Sequence, residues 1–442
     1  MYDKVFTGMC EEQKAEINLS DLAGQGMNNT LNRFHLMLLR IFVVLYMGLI
    51  YLVPNLFPDK IKFIILAVVA VILFFTFVFI RDLFCEKYFF GGNILFFILL
   101  YIQEIVMSVV TYRQSFIDTV TEGKYYLLML SYFIMACYLK KDGNYHKLYG
   151  MIVVFSAVLS VFYIVYYLFL SYFDLQILPL GYDERFGGYR VTAFAYIINS
   201  GTLLALGVYL NPGFKLRYRA ACLFVFAAGL FELIVVQKTR AALVMELVCI
   251  LCMIVFAFRK RIGNLIITGI VAAVIVAALV NTPLFKSYMD SVSNEDTSVS
   301  VRLEEVDFYL SQVKESPLYG MGFIKNMEDR ETYALLRGQD KMFYREDVGI
   351  VGFVNTFGVL GLLWYLWLVI KLSAGLILSF RLQKGNSLTG LIGVAVLIIL
   401  SSATLIITDS SRIAIFPVIL ALIDSVYAKS SMKEQAEHII YP

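Results

Sequence analysis

The sequence is poor in charge, histidine, tryptophan and proline. Only 16 % of its 442 residues are charged while 60 % are hydrophobic, and the mean hydropathy is +0.76. Soluble domains are roughly a quarter charged and about half apolar, so an ordinary water-soluble globular chain is excluded. The 3 histidines are His35, His146 and His438, and the chain has neither a His-Glu-x-x-His stretch nor a zinc-ligand spacing. The Gly-x-x-x-x-Gly-Lys phosphate loop is missing too, which removes the common nucleotide-hydrolysing class. No basic stretch interleaved with aromatics points to nucleic acid. The 6 cysteines are Cys10, Cys85, Cys137, Cys222, Cys249 and Cys252. They fall in spans or in segments read below as inner, so no disulfide framework is expected. Cys249 and Cys252 have half-site spacing but lie in an apolar helix with no second pair. The N-terminal residues are polar and lack the apolar core of a cleavable signal peptide.

What is present is a series of apolar runs of about 20 residues, the length that crosses a ~30 Å hydrocarbon core. They fall near 35–53, 61–80, 93–111, 125–139, 149–171, 191–210, 220–236, 241–258, 264–281, 347–371, 388–408 and 412–428. The expected fold is an all-α polytopic transmembrane bundle of about twelve spans. Alternate loops carry Arg81/Lys87, Lys140/Lys141/Lys147, Lys215/Arg217/Arg219, Arg259/Lys260/Arg261 and Arg381/Lys384. An excess of basic residues marks the cytoplasmic side. Both termini are then cytoplasmic, as residues 1–34 and 429–442. Spans 1–9 occupy 35–281, a large extracytoplasmic loop 282–346, and spans 10–12 residues 347–428.

The large loop is the main departure from an anchor or a simple pore, with 20 charged side chains in 65 residues. Leu303, Val306, Leu310 and Val313 predict an amphipathic helix over 300–316 with that stripe buried. Glu304 and Glu305 sit in its first turn, where the helix dipole favours acids. Pro317 ends it, and Gly320 and Gly322 make a turn. A second short helix is expected over 330–337. The outer side keeps Arg113, Arg185, Arg190, Arg240 and Arg412 against the topological bias. Lys238 lies beside Arg240, and Arg302 and Arg345 lie in the loop. Several guanidinium groups at an outer surface suit a lipid-linked pyrophosphate, because the planar fork binds two oxygens at once and does not titrate. Glu104, Glu232 and Glu246 lie within spans, where ionisable groups are costly and face a partner or a cavity. Two readings of these three stay open: pairing with arginine to hold helices together, or direct contact with substrate.

Four blocks then resemble a known family. The first is Arg190-Val-Thr-Ala-Phe with Asn199-Ser200-Gly201, the glycine standing eleven positions after the arginine. The second is Lys238-Thr-Arg240-Ala-Ala. The third is Arg302 followed by Glu315-Ser316-Pro317-Leu318-Tyr319-Gly320-Met321-Gly322. The fourth is Asp347-Val-Gly with Phe357-Gly358-Val359-Leu360-Gly361. In this order the blocks resemble the Wzy-type polysaccharide polymerases and the related O-antigen ligases.

The resemblance implies a GT-C-like glycosyltransferase that needs neither metal nor cofactor. It would act at the outer face of a bacterial plasma membrane on undecaprenyl-pyrophosphate-linked oligosaccharide repeat units. Arg185, Arg190, Lys238, Arg240, Arg302, Arg345 and Arg412 would contact pyrophosphate or glycan. Implied partners are membrane lipid, a chain-length regulator and a repeat-unit flippase. The ligases carry a histidine shortly before the last glycine block, and here Asp347 stands in the comparable place with Glu346 beside it. A carboxylate serves as general base where geometry and proton affinity suit. Two alternatives stay open, a ligase handing the glycan to another acceptor and a transporter of lipid-linked glycan.

Overall fold

The computed structural model describes residues 29–51, 53–56, 60–79, 88–140, 143–178, 180–185, 188–191, 195–259, 297–325, 330–339, 343–382, 388–403 and 412–440. The first helices are α1 (Asn29–Tyr51), α2 (Ile61–Val78), α3 (Gly91–Tyr112), α4 (Phe116–Gly123), α5 (Ser131–Leu139) and α6 (Asn144–Phe173). A hairpin follows, β1 (Asp183–Arg185) and β2 (Gly188–Arg190). Then come α7 (Ala195–Leu210), α8 (Leu216–Phe231), α9 (Arg240–Phe258), α10 (Thr297–Glu315), α11 (Arg330–Arg337), α12 (Ile350–Leu382), α13 (Thr389–Ser401) and α14 (Phe416–Ile440). Among the described residues 5 helices are long and apolar enough to cross a membrane: Gly91–Tyr112, Asn144–Phe173, Leu216–Gln237, Arg240–Phe258 and Ile350–Ile377. The shorter apolar helices are His35–Tyr51, Lys62–Val78, Ala195–Leu210, Thr389–Ser401 and Phe416–Ala428. The chain is a helical, multi-pass membrane protein.

Its surface is the inverse of a soluble one. Phe63, Phe74, Phe77, Val110, Phe224 and Ile370 are exposed, while Asn93, Glu104, Ser108, Ser156, Asn199, Glu246 and Asn355 are buried. Hydrocarbon tails tolerate the first set, and polar groups in a bilayer must find partners inside the protein. Gly201 has a local reason as well. A Cβ there would stand 2.2 Å from that of Ser156, so the glycine lets α7 lie close against α6.

The contacts sort the helix ends into two sets. At one end Tyr196 meets Ser401, Ile350 bonds to Ser402, and Arg190 bonds to the residues just before α9. At the other, Lys140 lies over Tyr88, Lys371 donates to the Phe89 carbonyl, and Arg219 donates to that of Tyr209. The second end carries the basic residues that the sequence assigns to the cytoplasm.

Two elements differ from expectation. The span expected at 125–139 is a 3-10 helix, Lys124–Leu130, running into the 9-residue α5. The steeper 3-10 rise lets these two pieces together reach roughly 27 Å. The helix expected over 300–316 is present as α10, but it buries a different face. Leu303 and Leu310 are 63 % and 40 % exposed, whereas Glu305, Tyr309 and Gln312 are buried. The buried face is polar because it hydrogen-bonds. Asn355 Nδ2 donates to the Tyr309 carbonyl at 3.1 Å and to Gln312 Oε1 at 2.9 Å. Tyr309 and Gln312 in turn donate to the carbonyls of Leu336 and Leu335. The helix Arg330–Arg337 lies where expected, and the span expected at 264–281 falls outside the described residues.

The most unusual backbone lies between Pro317 and Leu360. α12 is broken at Gly358, whose φ of 61° and ψ of −160° belong to a region only glycine occupies readily. In an unbroken helix the amides of Val359 and Leu360 would bond to the carbonyls of Asn355 and Thr356. Here Val359 donates to Pro317 at 2.9 Å and Leu360 to Leu318 at 3.4 Å. The two freed carbonyls accept from Met321 at 2.7 Å and Gly322 at 3.0 Å. Two helical bonds are exchanged for four between segments, which leaves these buried backbone groups paired. The inserted segment is also held from α3, from the link that follows it and from the 3-10 helix Lys124–Leu130. Ser108 Oγ accepts from the Phe323 amide, Gln114 brackets Phe323 and Lys325, and the Phe323 ring stacks on Tyr126.

Gly320 and Gly358 are the positions that permit this exchange. A Cβ at Gly358 would lie 2.3 Å from the Leu318 carbonyl oxygen, and one at Gly320 would lie 2.6 Å from that of Asn355. Gly358→Ala should therefore cost at least about 1–3 kcal/mol from backbone strain alone. The expected readout is a clear fall in thermal midpoint in detergent. Gly181→Ala, where a Cβ meets nothing within 4 Å, should leave the midpoint in place. Equal midpoints for the two variants would contradict the role given to the exchange.

Candidate functional site

The basic part of the site is built on the hairpin and the α8–α9 junction. The strands pair antiparallel with Asp183 opposite Arg190, and Arg190 Nη1 reaches Asp183 Oδ2 at 3.2 Å. The same guanidinium donates from Nε to the Gln237 carbonyl at 3.0 Å and from Nη2 to Thr239 Oγ1 at 3.3 Å. The Val191 amide donates to the Val236 carbonyl. These bonds fasten the hairpin to the chain entering α9.

That junction is irregular. α8 ends in a π-helical turn, Glu232–Gln237, and Lys238 then takes a left-handed conformation, φ 48° and ψ 35°. The reversal directs Arg240 to the first position of the 19-residue α9. Free amides and the helix dipole make such an N-terminus favourable for anions. The Lys238 ammonium lies 5.5 Å from the centre of the Tyr167 ring. Lys238, Arg240 and Arg190 are all partly exposed at this end. Arg185 closes β1, and its side chain is outside the described set.

A carboxylate part lies across the end of α13. Asp347 sits in a 3-10 turn, Arg345–Val348, that leads into α12, and its amide donates to the Tyr344 carbonyl at 3.0 Å. Asp347 is half-buried and Glu346 exposed. The Ile350 amide donates to the Ser402 carbonyl at 2.9 Å, and Ser401 Oγ lies 3.3 Å from the Tyr196 hydroxyl. Arg412 stacks over that Tyr196 ring at 5.8 Å. The C-terminal end of α13 thus joins the Asp347 turn to Arg412 and to the start of α7, the helix that follows Arg190.

The remaining expected residues sort by their surroundings. Arg345 points inward, where Nη1 donates to the Gly322 carbonyl at 3.0 Å and to Thr356 Oγ1 at 3.1 Å. Glu104, fully buried in α3, accepts from Gln103 and lies in the electrostatic field of Arg345. Glu232 accepts from the Gln237 amide at 2.5 Å, so its hydrogen-bond partner is an amide at the π-turn. Glu246 is buried in α9, with neither carboxylate oxygen hydrogen-bonded among the described residues. Arg302 is exposed on α10, within electrostatic reach of Glu305. Among the described residues no group of three or more His, Cys, Asp and Glu side chains is placed to hold a metal ion.

The sequence reading places Glu305 with Glu304 in the first turn of its helix, but α10 begins at Thr297 and has no acid in its first turn, so the helix dipole does not account for Glu305. It is 2 % exposed, and Oε1 accepts from the Tyr344 amide at 3.1 Å, beside the Asp347 turn. Burial raises its proton affinity above the usual carboxylate range, with Asp347 adding to the effect, against the Tyr344 amide and Arg302. The signal was the polar series Glu305, Tyr309 and Gln312 at helical spacing.

The family described as O-antigen ligase matches residues 223–366. That range holds the α8–α9 junction, α10, the inserted segment, the Asp347 turn and the break in α12. The match supports the O-antigen ligase/polymerase superfamily and a glycan-transferring enzyme. No curated protein matches the chain.

The arginine geometry yields a test. Arg240→Ala and Arg190→Ala should each lower glycan transfer roughly a hundredfold or more, corresponding to ~2–4 kcal/mol in the barrier. Lysine should restore little, because it lacks the planar fork. Near-normal transfer by a stably expressed Arg240→Ala protein would remove that residue from the site.

Proposed function

We propose that the protein polymerises lipid-linked oligosaccharide repeat units at the outer face of a bacterial plasma membrane. The donor is a glycan carried on undecaprenyl pyrophosphate. The observation that carries this reading is the cluster of Arg190, Lys238 and Arg240 around the N-terminus of α9, with Arg412 near the start of α7. A glycosyl pyrophosphate concentrates its charge where such a cluster is useful, while its lipid tail stays in the bilayer. The family match supports the same reading.

In the proposed reaction, an acceptor sugar hydroxyl attacks the anomeric carbon of the donor glycan. The new glycosidic C–O bond forms as the bond from the anomeric carbon to the phosphate oxygen breaks. Pyrophosphate leaves with the electron pair, and fixed cations stabilise the charge it develops. Asp347 takes the hydroxyl proton and later releases it to water, with Glu346 as the adjoining carboxylate. Arg302 faces the glycan side. Arg345, whose Nη1 is occupied by Gly322 and Thr356, sets the turn that carries Asp347. The enzyme has about twelve spans in a GT-C-like bundle, both termini in the cytoplasm, and residues 282–346 outside. A chain-length regulator and a repeat-unit flippase are its working partners.

The description of the matching family favours one second reading, transfer of the finished glycan to a different acceptor. It uses the same donor and the same arginines.

The base assignment has its own test. Asp347→Asn keeps size and polarity but loses the proton acceptor, so transfer should fall steeply while the purified protein still binds lipid-linked donor. Normal activity in both Asp347→Asn and Glu346→Gln would leave proton removal to another group or to water, and the arginines would carry the chemistry.

A further inference from the structure

Glu305 has no place in the reaction above, yet it is a buried carboxylate bonded to the residue that opens the turn of the proposed base. It lies in the first half of α10, whose buried face packs on the turn leading into α12. Oε1 accepts from the Tyr344 amide at 3.1 Å, and the Tyr344 carbonyl accepts from the Asp347 amide at 3.0 Å. Tyr344 therefore links Glu305 to Asp347 through its two backbone groups. The other carboxylate oxygen of Glu305 is buried and makes no hydrogen bond among the described residues. One helical turn later Tyr309 packs with Phe343 and Val348, on either side of the same turn. α10 is thus a rigid backing for the turn, with a carboxylate pressed against it.

A buried carboxylate is costly, and an apolar residue would pack here at no such cost. A helix that only needed to support the turn would not require an acid at position 305. The charged groups around it are few. Arg302 stands on its own helix, and Asp347 faces it from the turn. Arg345 and Glu346 of the turn and Arg337 of α11 surround the neighbouring Tyr309. The Asp347 charge favours the protonated form of Glu305.

We propose that Glu305 is a positioning residue for Asp347, holding the Tyr344–Val348 turn through the Tyr344 amide. The proton removed from the acceptor hydroxyl goes to Asp347, and the Tyr344 link fixes where that carboxylate stands. Glu305 touches neither substrate nor the breaking bond. This inference rests on the assignment of Asp347 as the base.

The test is the pH profile of kcat/KM for glycan transfer by the full-length protein in detergent or vesicles. Glu305→Gln keeps an oxygen to accept from the Tyr344 amide but removes the charge. Its kcat should stay close to that of the unsubstituted protein, with the acid limb of the profile in place. Glu305→Ala loses the acceptor as well. Its kcat should fall on the order of tenfold with donor KM held, and glutamine should recover most of that loss. Unchanged kcat in Glu305→Ala, with Asp347→Asn inactive, would overturn the positioning role while leaving the base in place. Full activity of Asp347→Asn would overturn the base assignment and the positioning role with it. The thermal midpoint of Glu305→Ala, followed in parallel, separates loss of fold from loss of kcat.

Discussion

The exchange of backbone bonds between Pro317–Gly322 and Asn355–Leu360 is the constraint on which the candidate site depends. A transmembrane helix cannot stop hydrogen-bonding halfway without loss, because the bilayer core offers no water to replace the missing partners. Here a second segment supplies them in register. The amides of Val359 and Leu360 turn to Pro317 and Leu318, and the carbonyls they leave are taken by Met321 and Gly322. The arrangement also sets its surroundings. The Gly322 carbonyl and Thr356 hydroxyl receive Arg345, which begins the Asp347 turn, and Asn355 receives α10. One break in α12 thereby positions the loop helix, the inward arginine and the candidate base.

The basic half of the site follows a different principle. Arg190 is held by Asp183 and by the residues just before α9, while the π-turn and the left-handed Lys238 bring Arg240 to a helix N-terminus. Irregular backbone at the junction brings Arg190, Lys238 and Arg240 to one end of the bundle. Glu232 closes on Gln237 within the π-turn, and Glu104 lies in the field of Arg345. Both lie inside the protein, and the two readings of them, helix pairing or substrate contact, stay open.

Composition and periodicity carried the membrane class, the helix Arg330–Arg337 and the stop at Pro317, since these rest on local apolar length and local breakers. The glycine blocks were legible as motifs, but their joint purpose was not. An exchange between residue 318 and residue 360 leaves no periodic trace. The buried face of α10 escaped because the stripe rule equates burial with apolarity. That face carries Glu305, Tyr309 and Gln312, whose partners come from distant parts of the chain. Arg345 read as one more outer cation, because nothing in its neighbours indicates that Gly322 and Thr356 would draw it inward. Candidate charges were thus legible from residue type and topology, while their division into outward and inward groups depended on tertiary contacts.

The central claim is that this end of the molecule makes a glycosidic bond from a lipid-pyrophosphate donor. The most direct measurement reconstitutes the purified protein in vesicles containing undecaprenyl-pyrophosphate-linked repeat units, then follows glycan length and free lipid pyrophosphate by mass spectrometry. The account predicts a ladder of lengthened lipid-linked glycans, with one undecaprenyl pyrophosphate released for each unit added. Intact donor crossing the bilayer, with no new bond and no released pyrophosphate, would contradict it.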